Sequence, residues 1–136
     1  MAAVFVWYLQ HGLAVTPLNP RAPSISASTK TFATVPSPSA LDSPTLTSLS
    51  VITPPAATKL LLREAKEAGV PAVWLQPGSF DDETLEWARS EFKAAIGGTA
   101  PGADGLESNG EDGWCVLVDG EDGLKLAGVE WKAGKL

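Results

Sequence analysis

Between residues 51 and 98 the sequence changes period repeatedly, and each change is punctuated by proline or glycine. Val51-Ile52 runs into Thr53-Pro54-Pro55, and an amphipathic stretch follows. In that stretch Leu61, Leu62, Ala65 and Ala68 form one stripe, and Lys59, Arg63, Lys66 and Glu67 form the opposite face. This is the spacing of a helix buried on one side, and it predicts a helix over 56–68. Thr53 is placed to cap it, Pro54 or Pro55 suits a first turn that needs no N–H, and Gly69 stops it. Residues 72–76, Ala-Val-Trp-Leu-Gln, are apolar enough for a strand covered on both faces. Pro77-Gly78 turns the chain, and Ser79 or Asp81 caps a second helix predicted over 82–96. Asp82 and Glu83 sit in its first turn, where the helix dipole favours acids. Leu85, Ala88, Phe92 and Ile96 line its inner face, and Gly97-Gly98 ends it. Strands separated by helices of this length cannot form hairpins. They form parallel pairs with the helix packed across the sheet, and this confines the chain to the α/β class.

The flanking segments extend the pattern. Residues 3–11 read as a helix apolar almost all round, closed by Gly12 and therefore buried on most sides. Residues 13–18, Leu-Ala-Val-Thr-Pro-Leu, read as a strand ending near Thr16 or Pro17, because proline cannot donate to a ladder; Asn19-Pro20-Arg21 turns away from it. Residues 20–55 are dominated by Ser, Thr and Pro, the composition of a linker. Two apolar pulses inside them, Phe32–Val35 and Leu46–Ile52, instead predict two strands, each ending at a proline. Residues 97–113 form a glycine-rich loop with four acids and no basic residue. Trp114–Val118 reads as a last strand with Cys115 inside it as a buried, inert thiol. Asp119-Gly120 then turns into a short amphipathic stretch carrying Leu124, Leu126, Val129 and Trp131, with 124–136 as a short C-terminal tail. The whole order predicts one doubly wound domain over 1–136 with a mostly parallel sheet. Ligands of such sheets sit beyond the carboxyl ends of the strands. Three strand ends carry rigid turn chemistry there: Asn19-Pro20-Arg21, Thr53-Pro54-Pro55 and Gln76-Pro77-Gly78.

Charge and rare residues exclude several functions. The chain carries a net charge of −6 with one cysteine and one histidine. No intrachain disulfide, paired-cysteine zinc site or His-rich metal site can be built from that set. The acidic balance argues against nucleic-acid binding, which needs a basic surface. Only Arg21, Lys30 and Asp42 are charged between residues 1 and 58, apart from His11. The apolar run 2–9 has no basic start to make it a secretory signal, and it is far short of the roughly 20 residues needed to span a membrane, so no membrane partner is expected. A Ser-His-Asp triad would have to recruit His11 from a helix. The glycine-rich loop has neither GxGxxG nor GxxxxGK[ST], and it lacks the spacing of a calcium loop.

Together, VTPLNPR, VITPPAAT followed by LLLREAKEAGV, and AVWLQPGS resemble the small CoA-binding proteins, whose Rossmann-like domain is shared with the alpha subunit of succinyl-CoA synthetase. The resemblance runs from about Val4 to Val118, with WCVLVDGEDG similar to the family's final strand. It implies a coenzyme A site. Asn19 and Pro20 would border the adenosine, and Arg21 would lie near a ribose or 3′-phosphate, unless it is simply a solvated turn cation. Thr53, Pro54 and Pro55 would lie beside the nucleotide at a helix N-terminus, and Gln76, Pro77 and Gly78 would face the pantetheine. Family members begin with a central strand and a glycine turn that offers N–H groups to the pyrophosphate; this chain enters at the following helix. Either the strands over 13–18 and 46–53 then pair directly, or the chain is a truncated product, and a truncated chain is expected to bind CoA weakly. The expected function is a CoA or acyl-CoA binding module, cytoplasmic or mitochondrial, with no evident catalytic constellation. A subunit of an acyl-CoA ligase, an NAD(P)-binding relative and an interaction-only protein remain alternatives. The first lacks a loop histidine, and the second lacks both GxGxxG and an acid where Asn19 stands.

Overall fold

The computed structural model describes residues 3–27, 29–98, 115–126, 128 and 130. The chain opens with α1 (Ala3–Gln10), and an antiparallel ribbon follows, β1 (Ser24–Ala27) with β2 (Lys30–Ala33). Short 3-10 turns at Pro38–Ala40 and Pro44–Leu46 lead into β3 (Leu49–Val51), α2 (Pro55–Ala68), β4 (Ala72–Leu75), α3 (Asp82–Glu91), β5 (Ala94–Ile96) and α4 (Val116–Leu126). Strands β3, β4 and β5 lie side by side in that order, all parallel. This is the expected α/β, Rossmann-like architecture.

The pleat divides the sheet into two faces. Leu49, Val51, Val73 and Leu75 point to one side and join Leu62 and Ala65 of α2 and Leu85 and Ala88 of α3 in the main core. Ser50, Trp74 and Ile96 are register partners across the three strands. Their row faces the other way, where the Tyr8 hydroxyl of α1 bonds Ser50 Oγ and the Trp74 ring lies against Gly123 of α4. Helices α2 and α3 therefore cover one face, and α1 and α4 the other.

The α2–β4–α3 unit forms almost as its sequence predicts. Pro55 occupies the first turn of α2, and Gly69, at φ +89, ends it in the left-handed conformation that glycine adopts without strain. Thr53 does not cap this helix. Its hydroxyl meets Thr58 Oγ1 at 2.8 Å, and Thr58 Oγ1 also lies 3.1 Å from the Thr53 carbonyl, to which it donates. Asp81 is the true cap of α3, its carboxylate accepting the Thr84 amide at 2.8 Å.

Four further expectations are corrected. The run 13–18 is not a strand: Leu18 makes one isolated bridge to Val35, with the Val35 amide bonded to the Pro17 carbonyl. Pro17 has no N–H with which to continue a ladder. Among the described residues this run does not pair with β3. The second helix ends at Glu91 rather than 96. Phe92 turns extended, the Lys93 amide bonds the Pro71 carbonyl at 2.9 Å, and Ala94–Ile96 becomes β5, which leaves Ile96 on the sheet. Phe32–Val35 shifts to Lys30–Ala33, and its partner β1 lies in a Ser-rich stretch that carries little apolar signal. The segment after 114 is a helix rather than a strand, so the family's final strand is not there; the last strand described is β5. The glycine-rich loop from 99 onward, Trp114, Val129 and Trp131 lie outside the described residues.

Candidate functional site

The carboxyl ends of β3 and β4 are tied together, since the Gln76 amide donates to the Val51 carbonyl at 3.0 Å. This brings two of the three expected turns side by side. Thr53-Pro54-Pro55 leads from β3 into the N-terminus of α2, where Pro54 is exposed and Thr58, fully buried, pins the turn through Thr53. Gln76-Pro77-Gly78 leaves β4, and Ser79 closes it with both its amide and its hydroxyl on the Gln76 carbonyl, at 3.0 and 2.7 Å. Gly78 sits at φ +85 with open space around its Cα. Its backbone is thus approachable, and only the positive φ demands glycine there.

The third turn is placed differently. Leu18 packs on the main core, and the Asn19 amide bonds the Val35 carbonyl. The Asn19 side chain accepts the Arg21 amide at 2.9 Å in a local turn of the kind asparagine favours. Arg21 itself is exposed. This turn is anchored through Val35 rather than through the three-stranded sheet.

Gln76 does something its sequence position did not suggest. It is 92% buried by its 8% exposure. Its side-chain oxygen accepts the Val116 amide at 2.8 Å, and its side-chain nitrogen lies 3.4 Å from Cys115 Sγ. The Cys115 amide in turn donates to the Asp119 carboxylate at 3.0 Å, and Asp119 is fully buried. Two of the orphan N–H groups that open every helix are thus satisfied by side chains, one of them forty residues away. Cys115 is the residue preceding α4 rather than a strand residue. Sequence reading missed Asp119 and the glycines after it because Asp-Gly reads first as a turn. The signal that could have found α4 is the i, i+3 spacing of Gly120 and Gly123, which leaves one helix face bare.

That face meets α1. A Cβ on Gly120 would stand 2.5 Å from the Trp7 ring, so the backbone of α4 rests directly on the indole. His11 closes the same seam. Its ring stacks on Trp7 at 3.8 Å, its Nδ1 lies 2.7 Å from the Trp7 carbonyl, and its Nε2 lies 3.0 Å from Glu121 Oε1. Both partners are acceptors, so a ring nitrogen that carries a proton donates to the one it faces. Nearby, burial pushes the Tyr8 phenol above its usual range, the Ser50 hydrogen bond pulling the other way. His11 is thus a seam residue, with no free ring nitrogen for nucleophilic chemistry. Among the described residues no cluster of His, Cys, Asp and Glu could hold a metal ion, and no helix is long and apolar enough to cross a membrane.

A family model described as a CoA binding domain matches residues 2–104, most of the chain. The chain belongs to the CoA-binding domain family. Two solved structures share its fold. A conserved hypothetical protein from Pyrococcus furiosus superposes with a TM-score of 0.56 at 22% identity, over 68% of this chain and 77% of its own. The redesigned binding protein Prb superposes with a TM-score of 0.57 at 19% identity, over 68% of this chain and 63% of its own. At those identities the two structures speak for the fold alone. None of the curated proteins matches the chain. The family match spans all three expected turns, Asn19–Arg21, Thr53–Pro55 and Gln76–Gly78.

Proposed function

We propose that this chain is a coenzyme A binding module, and the family match over residues 2–104 is the observation that carries the reading. The turns after β3 and β4 support it by their position, side by side at the carboxyl ends of parallel strands, where such folds take nucleotide ligands. The nucleotide would lie along Thr53–Pro55, at the N-terminus of α2, where unpaired backbone N–H groups favour phosphate. Asn19 and Pro20 would border the adenosine, with the exposed Arg21 near a ribose or 3′-phosphate, where a guanidinium makes forked contacts. Pantetheine would run over Pro77 and the open backbone of Gly78. Gln76 would act there through the turn it shapes, since its amide group is engaged with α4.

The module acts in binding rather than in catalysis, in a cytoplasmic setting. Thermal-shift and calorimetric titrations with CoA, NAD and NADP test the reading, because a ligand of the folded state raises the melting temperature. CoA alone is expected to raise it, with a loss of affinity in Arg21→Ala. A shift with NAD but not CoA would overturn the CoA reading.

A further inference from the structure

The seam between α1, α4 and the sheet encloses a groove of about 190 Å3 that the binding site above does not use. Its floor is Trp74 of β4 and Ile96 of β5, register partners on the face turned away from the main core. Trp7 and Tyr8 of α1 form one wall. The other is α4, where Gly120 and Gly123 present bare backbone beside Leu124. No lining side chain is charged. The one lining hydroxyl, that of Tyr8, is already bonded to Ser50, so the ring offers its carbon surface. Ile96 remains 38% exposed, which gives the groove a mouth. Its wall also reaches the ligand side of the sheet, since Val116 lines it and has its amide held by Gln76 at the carboxyl end of β4.

We propose that this groove is an acyl pocket, receiving the short hydrocarbon chain of an acyl-CoA whose nucleotide lies at the turns after β3 and β4. The inference rests on the CoA reading. The groove selects for a small occupant. At about 30 Å3 for a water-sized group it takes roughly six, the size of a hexanoyl tail and far below a long fatty acyl chain or a peptide helix. An uncharged, mostly aromatic wall whose one hydroxyl is already bonded favours hydrocarbon over a charged or strongly polar group, which would lose its water.

Calorimetry with CoA, hexanoyl-CoA, octanoyl-CoA and the nucleotide-free thioester S-hexanoyl-N-acetylcysteamine tests the pocket, using the unmodified chain, Ile96→Trp and Leu124→Ala. Burial of one methylene is worth roughly fourfold in affinity, so hexanoyl-CoA is expected to bind at least about tenfold more tightly than CoA. Ile96→Trp fills the floor and removes that preference while CoA binding stays. Leu124→Ala deepens the groove and moves the preferred chain from hexanoyl towards octanoyl, a shift that mere loosening of the fold would not produce. Equal affinity for CoA and hexanoyl-CoA, or a preference that survives Ile96→Trp, overturns the acyl pocket and leaves the CoA reading intact. Binding of the nucleotide-free thioester that Ile96→Trp abolishes, with no binding of CoA, supports the pocket and overturns the CoA reading.

Discussion

The Asp81 carboxylate caps α3 by accepting the Thr84 amide, and Lys59 sits 3.0 Å from its other oxygen. Hydrogen bonding to Thr84, and then the Lys59 ammonium, hold its pKa down at about 2. A depressed carboxylate stabilises the fold above its unfolded value of about 4 and loses that contribution as pH falls through the folded value. Asp81→Ala is therefore expected to lower the melting temperature at pH 7. The gap to the unmodified chain should close between about pH 4 and pH 2, as circular dichroism melts across that range would show. At this scale the sequence was informative where a residue acts on its immediate neighbours. Asp81 before Asp82-Glu83 is a capping pattern legible without a structure, and so is the glycine stop at Gly69. Gln76 was not legible. Its partners Cys115 and Val116 lie forty residues on, and nothing in a local window tells a glutamine facing a ligand from one that caps a distant helix.

Among the elements, α2 and β4 were readable because the period, the first-turn proline and the glycine stop agree, although Thr53 is not the cap. α3 was readable only at its start. Leu85, Ala88, Phe92 and Ile96 keep helical spacing through residue 96, yet the Pro71 carbonyl captures the Lys93 amide and the chain gains a ladder with β4 instead. A tertiary partner overrides a local period there. α4 is the converse. Its β-branched opening and two glycines argue against a helix, since each glycine costs about 1 kcal/mol relative to alanine. Packing offsets that cost, because only glycine lets α4 rest on the Trp7 ring. The two glycines should accordingly respond differently to alanine. Gly120→Ala would drive a Cβ to 2.5 Å from a ring that is 9% exposed. It is expected to destabilise by about 1–3 kcal/mol, as overpacked cores do. Gly123→Ala would place its Cβ 3.3 Å from Trp74, where the gain of about 1 kcal/mol in helix propensity offsets most of the crowding. Denaturant unfolding of the two variants separates them.

At the scale of the whole molecule, the sheet is covered by one helix pair whose contacts are mostly local in sequence and another that joins the two ends of the described chain. The alternation of strands and helices made the first pair foreseeable. The second depends on contacts between residues more than a hundred positions apart, such as His11 with Glu121, which no periodicity records. Gln76 couples this outer pair to the strand ends. Gln76→Ala is expected to speed hydrogen exchange at the Cys115 and Val116 amides by at least about tenfold, while the amides of α2 keep their protection. Equal loss of protection in α2 would mean that Gln76 supports the whole sheet rather than the seating of α4.

The stack of His11 on Trp7 has a practical consequence. The chain contains a single histidine, and its imidazole lies nearly flat over an indole face, 3.8 Å between ring centres and 21° between planes. Its ring protons sit in the shielding cone of the aromatic current, apart from the crowded spectrum of the other side chains. One pair of resonances, needing no label, thus reports whether the imidazole keeps its place over the Trp7 ring at the end of the first helix.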